Sequence, residues 1–261
     1  MREFTAEYLA ATREGMWADS RAALAPLRLG DCERVLDVGA GTGELTRVLR
    51  EESPGEVVAV DADAALLTHV DGPRVAGDAC RLPLAEDSVD LVVCQALLVN
   101  LPDPERALRE FARVASERVA VIEPDNAAVT VDSTVEAEAP LARRAREPYL
   151  AGVDTDASLG AARALFETAG LRDIEVRRYD HERTVEAPYT ERDVESARRK
   201  ASGEGLATDR AEMLAGGVTP EEFDELREEW RAMGREVVAQ MQAGEYRRRE
   251  TVPFYVTVGT V

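Results

Sequence analysis

Short apolar runs alternate with longer amphipathic stretches along the first half of the chain. The runs RVLDVG (34–39), VVAVDA (57–62), RVAG (74–77), VDLVVCQ (89–95) and RVAVIEP (118–124) are rich in valine and apolar nearly throughout. Between them, GELTRVLREE, ADAALLTHV and DPERALREFARVA carry apolar residues every three or four positions. Strands apolar on both faces, separated by amphipathic helices, predict an α/β fold whose parallel sheet is covered on both sides. Asp103-Pro104 starts the last of these helices, because proline in a first turn gives up no helical hydrogen bond. Upstream, residues 6–27 read as a further helix, with Leu9, Trp17, Leu24 and Leu27 among its apolar positions.

The pattern changes after residue 125. DNAAVTVDSTVEAEAP suits an irregular connection, while LARRAREPYL and LGAARALFETAG read as helices, the second capped by Gly170. DIEVRRYDHERTV (173–185) reads as a long strand and TVPFYVTVGTV as a closing one. The stretch between them, about 190–245, is helical, charged and interrupted by SGEG and AGGVTP. It is therefore an insertion between the last two strands, suited to a lid or a subunit contact. No internal repeat or low-complexity tract is visible.

At 261 residues and 45% hydrophobic content, the chain is long enough and apolar enough for a full core. Its charge changes the picture more. Thirty-two Lys and Arg stand against 51 Asp and Glu, a formal −19, and Lys200 is the single lysine. Such a surface is repelled by nucleic acid and by anionic membranes, so neither is an expected partner. Acid excess with almost no lysine also resembles the proteomes of halophiles. Cys32, Cys80 and Cys94 form no C-x-x-C pair, which argues against a disulfide framework or a metal site and for a reducing cytoplasm. No apolar run approaches the roughly 20 residues needed to span a bilayer. The opening MREFTAEYLAATREGMW lacks the continuous apolar stretch of a secretory signal.

The candidate chemistry centres on RVLDVGAGTGELTRVL (34–49). A strand ends in Asp37-Val38-Gly39, a tight turn follows, and a helix begins near Gly43. This sets a helix N-terminus at the carboxyl end of a strand, where open α/β sheets bind ligands. Gly39, Gly41 and Gly43 would let a ligand lie against the backbone. Asp61 ends the next strand, eighteen residues beyond Gly43, where an acidic side chain can accept from both hydroxyls of a ribose. The spacing is G-x-G-x-G, and Glu44 stands where the dinucleotide fingerprint G-x-G-x-x-G has its last glycine. Pyrophosphate favours a helix N-terminus free of anions, so the flanking Asp37 and Glu44 suit a cationic ligand better. A nicotinamide-dependent oxidoreductase is the weaker alternative, and a P-loop is excluded because no Gly-Lys-Ser/Thr follows.

VLDVGAGTGELTRVL resembles motif I of the class I S-adenosylmethionine-dependent methyltransferases. Its companions follow in that family's order: VVAVDAD (57–63), VAGDACRLPLAEDSVDLVVCQALLVNLPDPERALREFARV (75–114) and RVAVIEPD (118–125). The likeness is strong over about 30–125 and weaker over the closing VPFYVTVG. It implies a Rossmann-like, seven-stranded sheet with helices on both faces, its last strand antiparallel and preceded by the helical insertion. Residues 1–29 would form an N-terminal helical cap and 30–125 the S-adenosylmethionine-binding core. Residues 126–261 would complete the sheet and supply substrate-side segments, all in one domain, as a monomer or homodimer. By position, the turn Gly39-Ala40-Gly41-Thr42-Gly43 would lie against the methionyl and ribose parts of S-adenosyl-L-methionine, with Asp37 orienting the amino group. Asp61 would bind the ribose, Ala62 would touch the adenine, and Asp78, with Ala79 beside it, would accept from the adenine amine. Cys94, Gln95 and Leu97 would form the far wall and the way in for substrate.

Two departures from the family stand out. The LKPGG that usually follows the RV helix is missing, so the turn into the fifth strand must be shorter. Val99-Asn100-Leu101 stands where many relatives carry histidine, which weakens any claim for an imidazole there. Methyl transfer needs alignment above all, which can supply roughly 7–11 kcal/mol, and a base only where the acceptor carries a proton. His181 and Asn100 are the weak catalytic candidates; His69 reads as surface. Arg13, at helical spacing with Tyr8 and Trp17, is a candidate partner for the methionyl carboxylate. The expected reaction is methylation of a small-molecule acceptor held by the 126–190 and 190–245 segments, lipid-linked quinones being one class that such enzymes use. The alternative is a regulatory protein that binds the cofactor without transferring its methyl group.

Overall fold

The computed structural model describes residues 16–17 and 20–261. They divide into two compact units. One holds the described residues up to Asp125 with Leu159–Tyr179 and Phe254–Val261; the other holds Asn126–Ser158 and Asp180–Pro253. Eight strands are present among the described residues: β1 (Arg34–Val38), β2 (Glu56–Asp61), β3 (Arg74–Ala76), β4 (Val89–Gln95), β5 (Ala115–Pro124), β6 (Thr130–Ser133), β7 (Arg172–Val185) and β8 (Arg248–Thr260).

In the first unit the parallel strands run in the order β3-β2-β1-β4-β5, and the sheet continues through residues 254–260 of β8, antiparallel to β5. β7 pairs with β8 on its other side. Every strand that the apolar pattern predicts is present, and the last is antiparallel. The alternation of sequence and the both-sided burial agree: Leu36, Val92, Val93, Val121 and Ile122 are fully buried. Each such side chain contributes about 1.5–3 kcal/mol on leaving water. Val38 lies opposite both Val60 and Cys94, and Gln95 opposite Ile122. The carboxyl ends of β1, β2, β4 and β5 therefore share one edge.

Helix α1 (Glu44–Glu52) buries Leu45, Val48 and Leu49, while Arg47 on the outer face pairs with Glu44 and Glu51. Helix α2 (Pro104–Val114) starts at Asp103, whose side chain accepts from the Arg106 N–H, and buries Ala107, Leu108, Phe111 and Val114. Strand β5 follows α2 without an intervening residue, in keeping with the missing LKPGG. Two stretches differ from their helical expectation. Residues 62–70 contain only a 3₁₀ turn, Leu66–His69, because Asp61 and Asp63 take the N–H groups of Asp63 and Ala65 and bend the chain there. In 6–27, the part described from Arg21 is also a 3₁₀ turn, Arg21–Leu27, with Pro26 inside it and Arg28 in a left-handed conformation after it.

The second unit contains α3 (Glu138–Gly152), α5 (Glu191–Ser202), α6 (Glu204–Thr208), α7 (Arg210–Ala215) and α8 (Pro220–Ala243); the short α4 (Arg163–Thr168) belongs to the first. Two of the breaks fall at Gly203 and at Gly216–Thr219, within the predicted SGEG and AGGVTP interruptions, and a third falls at Asp209, outside them. Thr190 and Thr219 both form reciprocal caps, with Asp193 and Glu222. Phe223, Leu226, Met233, Val237, Met213 and Leu141 share the unit's apolar core. Strand β6 occupies a stretch expected to be irregular. Its partner, residues 248–251 of β8, is too distant in sequence for local pattern to reveal.

Candidate active site

The glycine turn sits at the common carboxyl edge of the first unit's strands. Gly39, Gly41 and Gly43 have φ of 72°, 56° and 85°, the left-handed region that glycine enters without strain. Two of them also meet their own chain. A Cβ on Gly39 would lie 2.8 Å from the Leu97 side chain, and one on Gly43 would lie 2.9 Å from Val70. Backbone shape and packing thus require these glycines before any ligand is considered. The turn is pinned by the Val60 carbonyl, which accepts from Gly39 N at 2.8 Å and Ala40 N at 3.0 Å.

Asp37 is buried and accepts from the Thr46 hydroxyl at 2.6 Å, which joins β1 to α1. Asp61 reaches the turn directly: its Oδ2 accepts from Gly41 N at 2.7 Å and its Oδ1 from Asp63 N at 2.9 Å. A carboxylate offers about four acceptor positions, so each oxygen keeps one. Asp78 is exposed, with Oδ1 accepting from Cys80 N at 2.8 Å and Oδ2 making no hydrogen bond among the described residues. Ala62 is exposed, Ala79 buried, and Thr42 half-buried. Glu44, expected to flank a cationic ligand, pairs with Arg47 at 2.9 Å on the helix surface.

Comparison with known proteins follows the same edge. Residues 36–122 match the family model described as a methyltransferase domain. Over 97 residues the chain is 40% identical to the demethylmenaquinone methyltransferase of Mycobacterium tuberculosis, a match covering 36% of this chain and 41% of that one. The family match falls on the part of the chain that carries the glycine turn. The chain spans about two-fifths of the length of the curated relatives that it matches. Among solved structures, phosphoethanolamine N-methyltransferase 2 of Haemonchus contortus is 16% identical, covers 98% of this chain and 58% of that one, and has a TM-score of 0.55. A SAM-dependent methyltransferase of Archaeoglobus fulgidus is 14% identical over 95% of this chain and 94% of that one, with a TM-score of 0.50. At these identities the likeness is one of fold.

On the far side of the candidate site, the loop after β4 is held by a residue to which the motifs assign no role. Glu123, completely buried, accepts from Leu97 N at 3.1 Å, Leu98 N at 2.9 Å and Val99 N at 3.4 Å, and the Cys94 thiol points to it at 3.8 Å. Ala96 in this loop has φ of 48°, a strained conformation for a residue with a Cβ. The Glu123 bonds hold that strain in place and set Leu97 against Gly39. Asn100 closes the loop by donating to the Ala96 carbonyl at 2.9 Å. A carboxylate placed directly after the apolar run VAVI, next to the end of β5, was the available signal for Glu123.

Gln95 does not stand open as a wall residue. Its Oε1 accepts from Trp17 Nε1 at 3.3 Å, and its amide donates to Met16 Sδ at 2.8 Å. Trp17 packs on Tyr179 with ring centroids 5.5 Å apart, and Tyr179 stacks on Phe254 at 5.5 Å. Phe254 pairs with Pro124 at the end of β5, so this aromatic row lies at the active edge. Among the described residues the buried Tyr179 hydroxyl has no hydrogen-bond partner, and burial pushes its pKa well above the usual tyrosine value. Tyr179→Phe is therefore expected to raise stability by about 1 kcal/mol, by removing a desolvated hydroxyl. A lower melting temperature for this variant would show that the hydroxyl is satisfied in solution.

His181 lies in the second unit, where burial and then the nearby Arg183 hold its imidazole below the usual histidine range. His69 is exposed. Arg13 and Tyr8 lie outside the described residues. Among those described, no helix is long and apolar enough to cross a membrane, and no three His, Cys, Asp or Glu are grouped to hold a metal ion.

Proposed function

We propose that this protein transfers a methyl group from S-adenosyl-L-methionine to a small-molecule acceptor. The observation that carries this reading is the donor and acceptor chemistry around the turn. Asp61 and Asp78 keep open acceptor positions, and the ribose hydroxyls and adenine amine of the cofactor are donors. Asp37 supplies the buried negative charge that suits the methionyl ammonium. When bound, the cofactor contributes a methyl group already activated by its sulfonium. The chain's own residues then bind and orient: Asp61 the ribose, Asp78 with Ala62 and Ala79 the adenine, and the 39–43 backbone the methionyl portion. The Trp17–Gln95 pair, Leu97 and Tyr179 form the side from which acceptor would be approached and water excluded. The −19 charge and single lysine support work in the concentrated salt of a halophile's cytoplasm.

Titration calorimetry with S-adenosylmethionine in strong KCl tests the reading. Asp61→Ala should weaken binding by about 2 kcal/mol, the scale of a hydrogen bond to a charged group, or roughly 30-fold. Asp61→Asn, which keeps one acceptor oxygen, should recover part of that. Absence of binding to the folded wild type would sink the proposal, and affinity for NAD in its place would favour an oxidoreductase. Release of S-adenosylhomocysteine with candidate acceptors separates a transferase from a protein that only binds.

A further inference from the structure

Two carboxylates stand at the carboxyl ends of β1 and β2, and they are held in different ways. Asp61 is fixed by backbone, through the N–H groups of Gly41 at 2.7 Å and Asp63 at 2.9 Å. Asp37 takes a side-chain donor: the Thr46 hydroxyl, in the first turn of α1, donates to its Oδ2 at 2.6 Å. Asp37 is 1% exposed and Thr46 completely buried, so bulk water does not compete for that bond.

Thr46 is the third residue of α1, where a threonine hydroxyl ordinarily turns back on a carbonyl three or four residues earlier. Thr68, Thr168 and Thr208 do so in this chain, donating to the carbonyls of Ala65, Ala164 and Glu204. Thr46 gives its proton to β1 instead. Its neighbours on the two elements are apolar and buried: Leu36 and Val38 on β1, Leu45, Val48 and Leu49 on α1. Burial of those side chains already fastens helix to strand. What the hydroxyl adds is direction, because a short bond from O–H to a carboxylate is strong and restricts how that carboxylate can point.

We propose that Thr46 is a positioning residue for the methionyl ammonium. By fixing the Asp37 carboxylate, it sets the direction from which that charge meets the amino group of S-adenosyl-L-methionine. Resting on the methyl-transfer reading, this role separates the two ends of the cofactor. The ribose end depends on Asp61, which backbone holds in place, while the methionyl arm depends on a side-chain hydroxyl that substitution can remove.

Calorimetry on the full chain with two probes is the test: S-adenosylhomocysteine, which carries the amino-acid arm, and methylthioadenosine, which lacks it. Thr46→Val keeps the shape and removes the hydroxyl, so S-adenosylhomocysteine should bind at least about tenfold more weakly, the scale of a hydrogen bond to a charged group. Methylthioadenosine should change by less than about twofold, and Thr46→Ser should restore S-adenosylhomocysteine to near its wild-type affinity. Thr46→Ala carries the same expectation as valine and serves where the valine variant does not fold. In Asp37→Asn the charge is already gone, so adding Thr46→Val should weaken S-adenosylhomocysteine by less than about twofold more. A threonine that only supports the fold predicts equal loss for both probes and losses that multiply in the double variant. Either result, or unchanged S-adenosylhomocysteine affinity without the hydroxyl, would overturn the positioning role alone. A folded wild type that binds neither probe would overturn the methyl-transfer reading and this role together.

Discussion

Glu123→Leu is expected to destabilise the first unit by about 3 kcal/mol or more. Leucine fills much of the same space but accepts nothing, so the N–H groups of Leu97, Leu98 and Val99 lose their acceptor. A buried donor left unsatisfied costs about 1–3 kcal/mol, and relaxation of the loop recovers part of the sum. The left-handed Ala96 lies in that loop, so relaxation should draw Leu97 away from Gly39 and loosen the turn as well. Urea unfolding of wild type, Glu123→Leu and Glu123→Gln provides the measurement. Glutamine keeps one acceptor oxygen and should fall between the others. A leucine variant within about 0.5 kcal/mol of wild type would show that the loop is held by something else.

The second large effect lies in the helical unit. A Cβ on Gly152 in α3 would sit 1.7 Å from the Glu212 carbonyl oxygen in α7, and one on Gly216 would sit 1.8 Å from the Pro148 carbonyl oxygen. Backbone faces backbone at both points, and no flexible side chain can yield. Gly152→Ala should therefore force the helices apart and cost about 3 kcal/mol, at the upper end for overpacking. Gly205→Ala is the control. It has open space around the Cβ and lies inside α6, so alanine there should be neutral or stabilise by up to about 1 kcal/mol. Equal melting temperatures for the two variants would refute the close approach of α3 and α7.

The strands of the first unit were legible because burial on both faces leaves apolar runs such as LVVC and VAVI, which few other settings tolerate. The insertion's helices were legible through two of their breaks, Gly203 and the Gly216–Thr219 stretch, whereas the break at Asp209 carries no glycine or proline and was not. Short elements were not. Strand β6 depends on residues 248–251, and the 62–70 helix yielded to local aspartate hydrogen bonds. For the candidate site, the motif showed Asp37, Asp61, Asp78 and the glycines, but not their present bonds. The Gly41–Asp61 link, the Glu123 clamp and the Trp17–Gln95 pair join residues separated by 20 to 78 positions.

By itself the sequence determined the fold class, the succession of strands and helices along the first half of the chain and the place of the turn, because hydrophobic period and glycine geometry are local properties. Tertiary structure alone decided which side chains are committed to the fold and which remain open to a ligand. It assigned Gly39 and Gly43 to packing against Leu97 and Val70, and set the lone lysine beside Arg248 on the buried Glu138. Such facts depend on distant segments meeting at a few ångströms, where a hydrogen bond is either made or left unmade. Local patterning carries no record of those meetings.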